Sequence, residues 1–162
     1  KKLTMLGNSD IHVPINNEYD FAKGEHRTMT FVFAKERSIE GIRDALLNRR
    51  TAVYAGNKII GERKYLKALF ENAIEVTNVV KSGKNIKITF KNKSDLTFEL
   101  LKTEHNPDVV YFRDYTIKPN TTETVSVKLE NGTKEGNVNF EITNLVVEPN
   151  HGLSYTYKVM AK

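Results

Sequence analysis

The pattern of apolar and polar positions changes period near residue 72. Beyond it, Ile86, Ile88 and Phe90 alternate with Lys87, Thr89 and Lys91. Leu96, Phe98 and Leu100 repeat the alternation, followed by Val125, Val127 and Leu129, by Val138, Phe140 and Ile142, and by Tyr155, Tyr157 and Val159. A period of two is that of a strand with one wet face. Turn residues separate the runs: Ser82-Gly83, Asn92 to Asp95, Pro119-Asn120, Asn131-Gly132 and Pro149-Asn150-His151-Gly152. Seven or eight short alternating strands predict an antiparallel β-sandwich of Ig-like size over residues 74–162.

Before residue 72, strand-like and helix-like runs take turns. Leu3 to Leu6 is a short apolar run that ends in a glycine turn, and residues 13–27 are polar and irregular. Residues 28–34 are nearly all apolar or β-prone, as in a strand buried on both faces. Ser38 suits the N-cap of a helix in which Ile39, Ile42, Ala45 and Leu46 recur every three or four residues. Arg49 and Arg50 fall near its C-terminal end, where cations complement the helix dipole. Residues 51–55 are β-prone and close on Gly56-Asn57. A second helix is predicted from about Glu62 to Ala73, with Tyr65, Leu66, Leu69, Phe70 and Ala73 on one broad stripe.

Composition narrows the function classes. The chain has 162 residues, 39% hydrophobic and 28% charged, which is enough to build a core. Its formal charge of +5 is spread thinly: residues 1–60 hold ten Lys/Arg against seven Asp/Glu, and residues 61–162 hold fifteen against thirteen. Lys81, Lys84, Lys87, Lys91 and Lys93 cluster on a predicted wet strand face without aromatic partners, so nucleic-acid binding is not expected. There is no cysteine, which excludes disulfides, thiolate nucleophiles and Cys-ligated zinc. No apolar run approaches the roughly 20 residues of a membrane span. The opening Lys1-Lys2, without initiator Met or leader, predicts a piece cut from a longer protein.

The candidate chemistry starts at "GNSDIHVP", residues 7–14. Asp10 and His12 are two positions apart, so at a strand end both would point to one side and could share a Zn, Mn or Fe ion. The alternative for the same residues is an ordinary surface turn. "GNSDIH" resembles the last metal-binding motif, Ser-Asp-x-His, of the polymerase and histidinol phosphatase (PHP) family. "TMTFVFAKERSIEGIRDALLNRRTAVYAG" is similar to the end of that family's barrel, and the whole order resembles bacterial PHP phosphodiesterases with an Ig-like domain at the C-terminus.

The resemblance implies a metal-dependent phosphoesterase or phosphodiesterase. Its metals (Zn, Mn or Fe) would polarise phosphoryl oxygens and activate a water. Asp10 and His12 match two ligand positions. The family's earlier motifs, a His-x-His pair, a Glu and a further His, have no counterpart here, and Val13 stands where the family often has Gly. His105 and His151 lie in Asn/Pro/Gly turns and read as solvent-facing. His26 and Arg27, in "GEHRTMT", are weaker substrate-binding candidates. Arg27 could hold a phosphate bidentately or pair with Glu25 or Asp20.

Other motifs fail. "GNKIIGER" has Glu62 and Arg63 where a phosphate-binding loop needs Lys and Ser/Thr. No Gly-x-Ser-x-Gly elbow exists. Asn92, Asn120 and Asn131 head sequons that matter only where a source glycosylates secreted proteins. Tyr111, Phe112 and Tyr115 suit sheet packing better than a ligand groove.

The expected fold class is therefore α+β in two parts. Residues 1–72 would be the C-terminal fragment of a (β/α) PHP-type barrel, and residues 74–162 an antiparallel Ig-like β-sandwich. The expected function is a fragment of a periplasmic or cell-surface phosphoesterase that keeps one ligand pair, completes no catalytic site and is inactive alone. The alternatives are a module that binds a glycan or protein partner through the sandwich, and a structural buttress contacted through Tyr65, Leu66, Leu69 and Phe70. Barrel strands that had lost their neighbours would also promote self-association.

Overall fold

The structure, a computed structural model, describes residues 3–20 and 25–161. The elements before residue 74 are strand β1 (Met29–Val32), helix α1 (Ile39–Leu47), strands β2 (Thr51–Ala55) and β3 (Lys58–Gly61), and helix α2 (Arg63–Ala73). Eight strands follow: β4 (Ile74–Ser82), β5 (Asn85–Asn92), β6 (Phe98–Lys102), β7 (Val109–Val110), β8 (Asp114–Ile117), β9 (Thr122–Leu129), β10 (Glu135–Glu148) and β11 (His151–Met160).

Local chemistry sets the helix ends. The Ser38 hydroxyl accepts the Gly41 N–H at 2.9 Å, a cap that contributes about 1 kcal/mol, with Glu40 in the first turn. α1 stops because Arg49 turns left-handed at φ +58°, so the Arg50 N–H returns to the Ala45 carbonyl at 2.8 Å and the Arg49 N–H to Leu46 at 3.2 Å. In α2, Leu66, Phe70 and Ala73 fall on one face and are all buried. Phe70 meets Phe98 edge-on at 5.1 Å and Tyr155 at 4.9 Å, which fastens α2 to strands β6 and β11.

Two sheets face one another. The smaller runs β4-β5-β9-β7. The larger runs β1-β2-β3-β10-β6-β8, with β11 on the other edge of β10. Ile86, Ile88, Phe90, Val125, Val127 and Leu129 from the first sheet share one core with Phe98, Leu100, Val138, Phe140, Ile142 and Leu153 from the second. All are buried, as the alternation requires. Asn92 is also fully buried: its amide donates to the carbonyls of Leu96 at 2.6 Å and Lys118 at 3.0 Å and accepts the Ser94 N–H at 3.0 Å. That burial leaves no room for a glycan at the Asn92 sequon.

The 14-residue strand β10 joins the two parts of the chain. Along one edge it pairs antiparallel with β6 through residues 140–142, then parallel with β3 through Leu145 and Val146. Its other edge carries β11 along nearly its whole length.

This architecture overturns the expected (β/α) barrel fragment. A βα barrel needs parallel neighbours joined by crossover helices. Here β1 pairs β2 antiparallel, with Met29 opposite Tyr54 and Val32 opposite Thr51, and β2 pairs β3 antiparallel. The short α1 sits inside a hairpin connection. β2 and β3 are joined by Gly56 (φ +55°) and Asn57 (φ +60°), a two-residue turn of the kind that twists with a hairpin. Strands hold 47% of the described residues, which include only two α-helices and one turn of 3-10 helix (Ile15–Asn17), so the fold is mostly β, as in an Ig-like sandwich with an antiparallel extension. The apolar run Leu3 to Leu6 belongs to no ladder.

Candidate functional site

The segment that carries Asp10 and His12 lies against β1, β2 and the end of α1. The Thr51 hydroxyl donates to the Met5 carbonyl and the Thr4 hydroxyl to the Leu46 carbonyl, both at 2.8 Å. Thr30 bonds Gly7 twice, accepting its N–H at 2.8 Å and donating to its carbonyl at 3.1 Å. Gly7 is required by close approach, since a Cβ there would sit 2.6 Å from Val53 Cγ1 and 3.1 Å from Thr28 Cγ2. Beyond it the chain turns outward. Asp10 adopts φ +52°, a left-handed conformation that Asp tolerates better than most residues.

Asp10 and His12 do converge, with Asp10 Oδ1 3.4 Å from His12 Nε2. The turn at Asp10, rather than strand alternation, brings them together. Both side chains stand in solvent, 93% and 84% exposed. Among the described residues no group of three or more His, Cys, Asp or Glu could hold a metal ion. Catalytic metal sites take at least three protein ligands, so this pair does not by itself fit the metal that the motif implies.

His26 and Arg27 lie elsewhere. Arg27 is exposed. The His26 ring is tilted against Tyr54 with centroids 5.8 Å apart, and both line an open cleft of about 1040 Å³. Its walls come from distant parts of the chain: Glu18, Tyr19 and Glu25 on one side, Asn57 at the β2–β3 turn, and Asp95 and Lys118 from the sandwich. The Asp95 wall is held by the Asn92 network and by Asn120 Nδ2, which donates to Asp95 at 2.8 Å. Burial pushes the Tyr54 hydroxyl pKa above its ordinary value, so it stays a neutral donor. The sequence offered no local signal for this cleft, because strand pairing by β10 assembles it. The Gly56-Asn57 pair between two β-prone runs is the one cue that could have placed Asn57 at a hairpin tip.

The remaining candidates are accounted for. His105 and His151 are exposed. Lys84, Lys87, Lys91 and Lys93 are exposed too, with Lys84 paired to Glu130 at 2.7 Å and Lys93 to Glu75 at 3.4 Å. Tyr111 and Tyr115 pack edge-on against Phe140 in the sandwich, as expected, but Phe112 is 75% exposed and does not share that packing.

No curated protein matches the chain. A solved two-domain protein from Bacteroides vulgatus ATCC 8482, described as containing a predicted PHP-like metal-dependent phosphoesterase, is similar at a TM-score of 0.91 and 50% identity. The similarity covers 97% of this chain and 46% of that one, so the chain spans less than half the length of that protein. Residues 73–158 match the family DUF5001, described as an Ig-like domain. That match takes in just over half the chain, and the chain belongs to this family of Ig-like domains.

Proposed function

We propose that this chain serves a PHP-type metal-dependent phosphoester hydrolase, with the sandwich as its accessory Ig-like domain and Asp10 and His12 as one ligand pair of its metal centre. The observation that carries this reading is the 50% identity over 97% of the chain to a protein described as containing such a phosphoesterase. That extent leaves only 3% of the chain outside the similarity. The two carboxylate and imidazole donors already face one another at 3.4 Å. Their exposure and their number make the chain alone a weak metal binder with no turnover of its own.

Calorimetric titration of Zn²⁺ and Mn²⁺ into the chain and into the Asp10→Ala/His12→Ala variant tests the pair. Weak binding that disappears in the double variant supports the assignment. Identical titrations of the two proteins would remove Asp10 and His12 from the metal centre.

The cleft favours a second reading, a binding module. Carboxylates of Glu18, Glu25 and Asp95 beside the rings of Tyr19 and Tyr54 suit a polyhydroxylated ligand such as a glycan. A glycan array probed with the chain and with Asp95→Ala distinguishes this role, since only cleft binding loses signal in the variant.

A further inference from the structure

Two core-facing rows of the sandwich end in cations. On β6, Phe98 and Leu100 face the core and Lys102 follows them in the alternation. On β8, Ile117 and Tyr115 face the core, and Arg113 stands next in that row. The two strands pair as far as Leu101 opposite Asp114, and one step further the Lys102 N–H donates to the Arg113 carbonyl at 2.7 Å. Lys102 and Arg113 are therefore cross-strand neighbours at the end of the core. Like charges in that relation destabilise a sheet. The Lys102 ammonium lies 4.1 Å from the centre of the Tyr111 ring, a contact that holds it without neutralising it. Arg113 has Asp114 3.9 Å from its Nε, an exposed pair at the limit of ion-pair distance that adds little. An anion from outside the chain would offset the repulsion.

There is room for one. Lys102, Thr103, Glu104, His105, Tyr111 and Arg113 line an open hollow of about 370 Å³, within the rough range of 300–1,000 Å³ for small-ligand sites. Its chemistry narrows the ligand. The Arg113 guanidinium presents a planar fork that matches a carboxylate. Thr103 and His105 are exposed and offer a hydroxyl and an imidazole as hydrogen-bonding partners. Glu104, whose Oε1 accepts the Asn139 amide at 2.5 Å, keeps a negative charge in the same wall. That charge disfavours a densely charged polyanion, and its second oxygen can accept from a ligand hydroxyl. The wall offers no aliphatic side chain to an apolar acid. One carboxylate surrounded by hydroxyls is the chemistry of a uronic acid. We propose that Lys102 and Arg113 form a binding site for the carboxylate of an acidic saccharide, with Thr103, Glu104 and His105 taking its hydroxyls. No residue lines both this hollow and the cleft around Tyr54, and the site depends on neither functional reading above.

Titration of the whole chain with oligogalacturonate and oligoglucuronate, followed by heteronuclear NMR, tests it. The expected result is a saturable shift of the amides of residues 102–105 and 111–113 with at least one of the two. Methyl esterification of that saccharide is expected to weaken binding at least tenfold, as is Arg113→Gln. The variant should also melt no lower than the parent chain, because it removes one of two like charges. Several results overturn the proposal: no saturable shift with either saccharide, equal binding of the methyl ester, or affinity unchanged in Arg113→Gln. A lower melting temperature in the variant does so too, since the guanidinium would then serve the fold. Oligoglutamate that binds as tightly would make the site one for acidic peptides, and a sulfated oligosaccharide that binds more tightly would make it one for polyanions; either overturns the uronate assignment. Shifts confined to the residues around Tyr54 overturn this site and leave the glycan reading of the cleft standing.

Discussion

Asn144 Nδ2 donates to the Asn57 carbonyl at 3.1 Å across 87 residues of sequence. The same amide donates to the Thr97 carbonyl at 2.7 Å, and Oδ1 accepts the Glu99 N–H at 3.1 Å. Asn144 lies on β10 between the residues that pair with β6 and those that pair with β3. One buried side chain therefore satisfies the backbone where β10 changes neighbours. Asn144→Leu would strand three backbone groups and is expected to cost about 3 kcal/mol, since an unsatisfied buried group costs roughly 1–3 kcal/mol. Urea unfolding measures it. A loss below about 0.5 kcal/mol, the range of an ordinary surface change, would show that water replaces the amide.

Phe70 and Ile39 give opposite expectations although both belong to predicted helical stripes. Phe70 is 1% exposed and touches both Phe98 and Tyr155. Phe70→Ala should cost roughly 3–5 kcal/mol through lost burial and the cavity left behind. Ile39→Ala should change the stability of the free chain by less than about 0.5 kcal/mol. Thermal melts of the two variants decide the matter. Equal losses would mean that α1 packs its apolar face in solution.

That contrast shows what was legible in the sequence. The alternation in Ile86–Phe90 and Val125–Leu129, the Ser38 cap and the extent of α2 all follow from local spacing, and the structure has them. The barrel fragment does not appear, because local spacing says nothing of strand direction. Residues 28–34 and 51–55 read alike whether their strands run parallel or antiparallel. β3 went unread because Ile59 and Ile60 form only a short apolar pair between glycines; the Gly56-Asn57 turn signals their pairing with Val53 and Tyr54, while their parallel partners, Leu145 and Val146, are more than 80 residues away. At the site, the Asp10–His12 spacing was legible. The turn that joins the pair depends on how closely Gly7 approaches Val53, which spacing does not reveal.

Asp44 and Arg50 predict a pH dependence. The Arg50 guanidinium hydrogen-bonds the Asp44 carboxylate and also donates to the Phe33 carbonyl at 3.1 Å, tying the end of α1 to the end of β1. The Arg50 hydrogen bond, chiefly, holds the Asp44 pKa below the usual carboxylate value. A carboxylate whose pKa is depressed on folding adds stability above its unfolded pKa and loses it as pH falls through the folded one. Stability should therefore fall as acid protonates Asp44, and Asp44→Asn should flatten that part of the profile while leaving the slope near neutrality unchanged. Denaturant midpoints measured from pH 7 down to the acid limb test this. An acid slope identical in the variant would assign it to other carboxylates.

Thr30 controls the ligand-bearing segment through its two hydrogen bonds to Gly7. Thr30→Val keeps the shape of the side chain and removes both bonds. Strands β1 and β2 should stay paired, because their ladder runs through backbone groups that the change does not touch. The Gly7 N–H should then exchange with solvent about tenfold faster or more, the equivalent of one lost hydrogen bond of roughly 1.4 kcal/mol. Gly7→Ala should loosen the same segment by a different route, since its Cβ would collide with Val53. The Asp10 and His12 resonances should shift in both variants although neither residue is altered. Hydrogen exchange and heteronuclear NMR read these effects together. Unchanged Gly7 protection in Thr30→Val would mean that the Thr4–Leu46 and Thr51–Met5 bonds hold the segment without it. In that case, loss of those two threonine hydroxyls is the change expected to move Asp10 and His12.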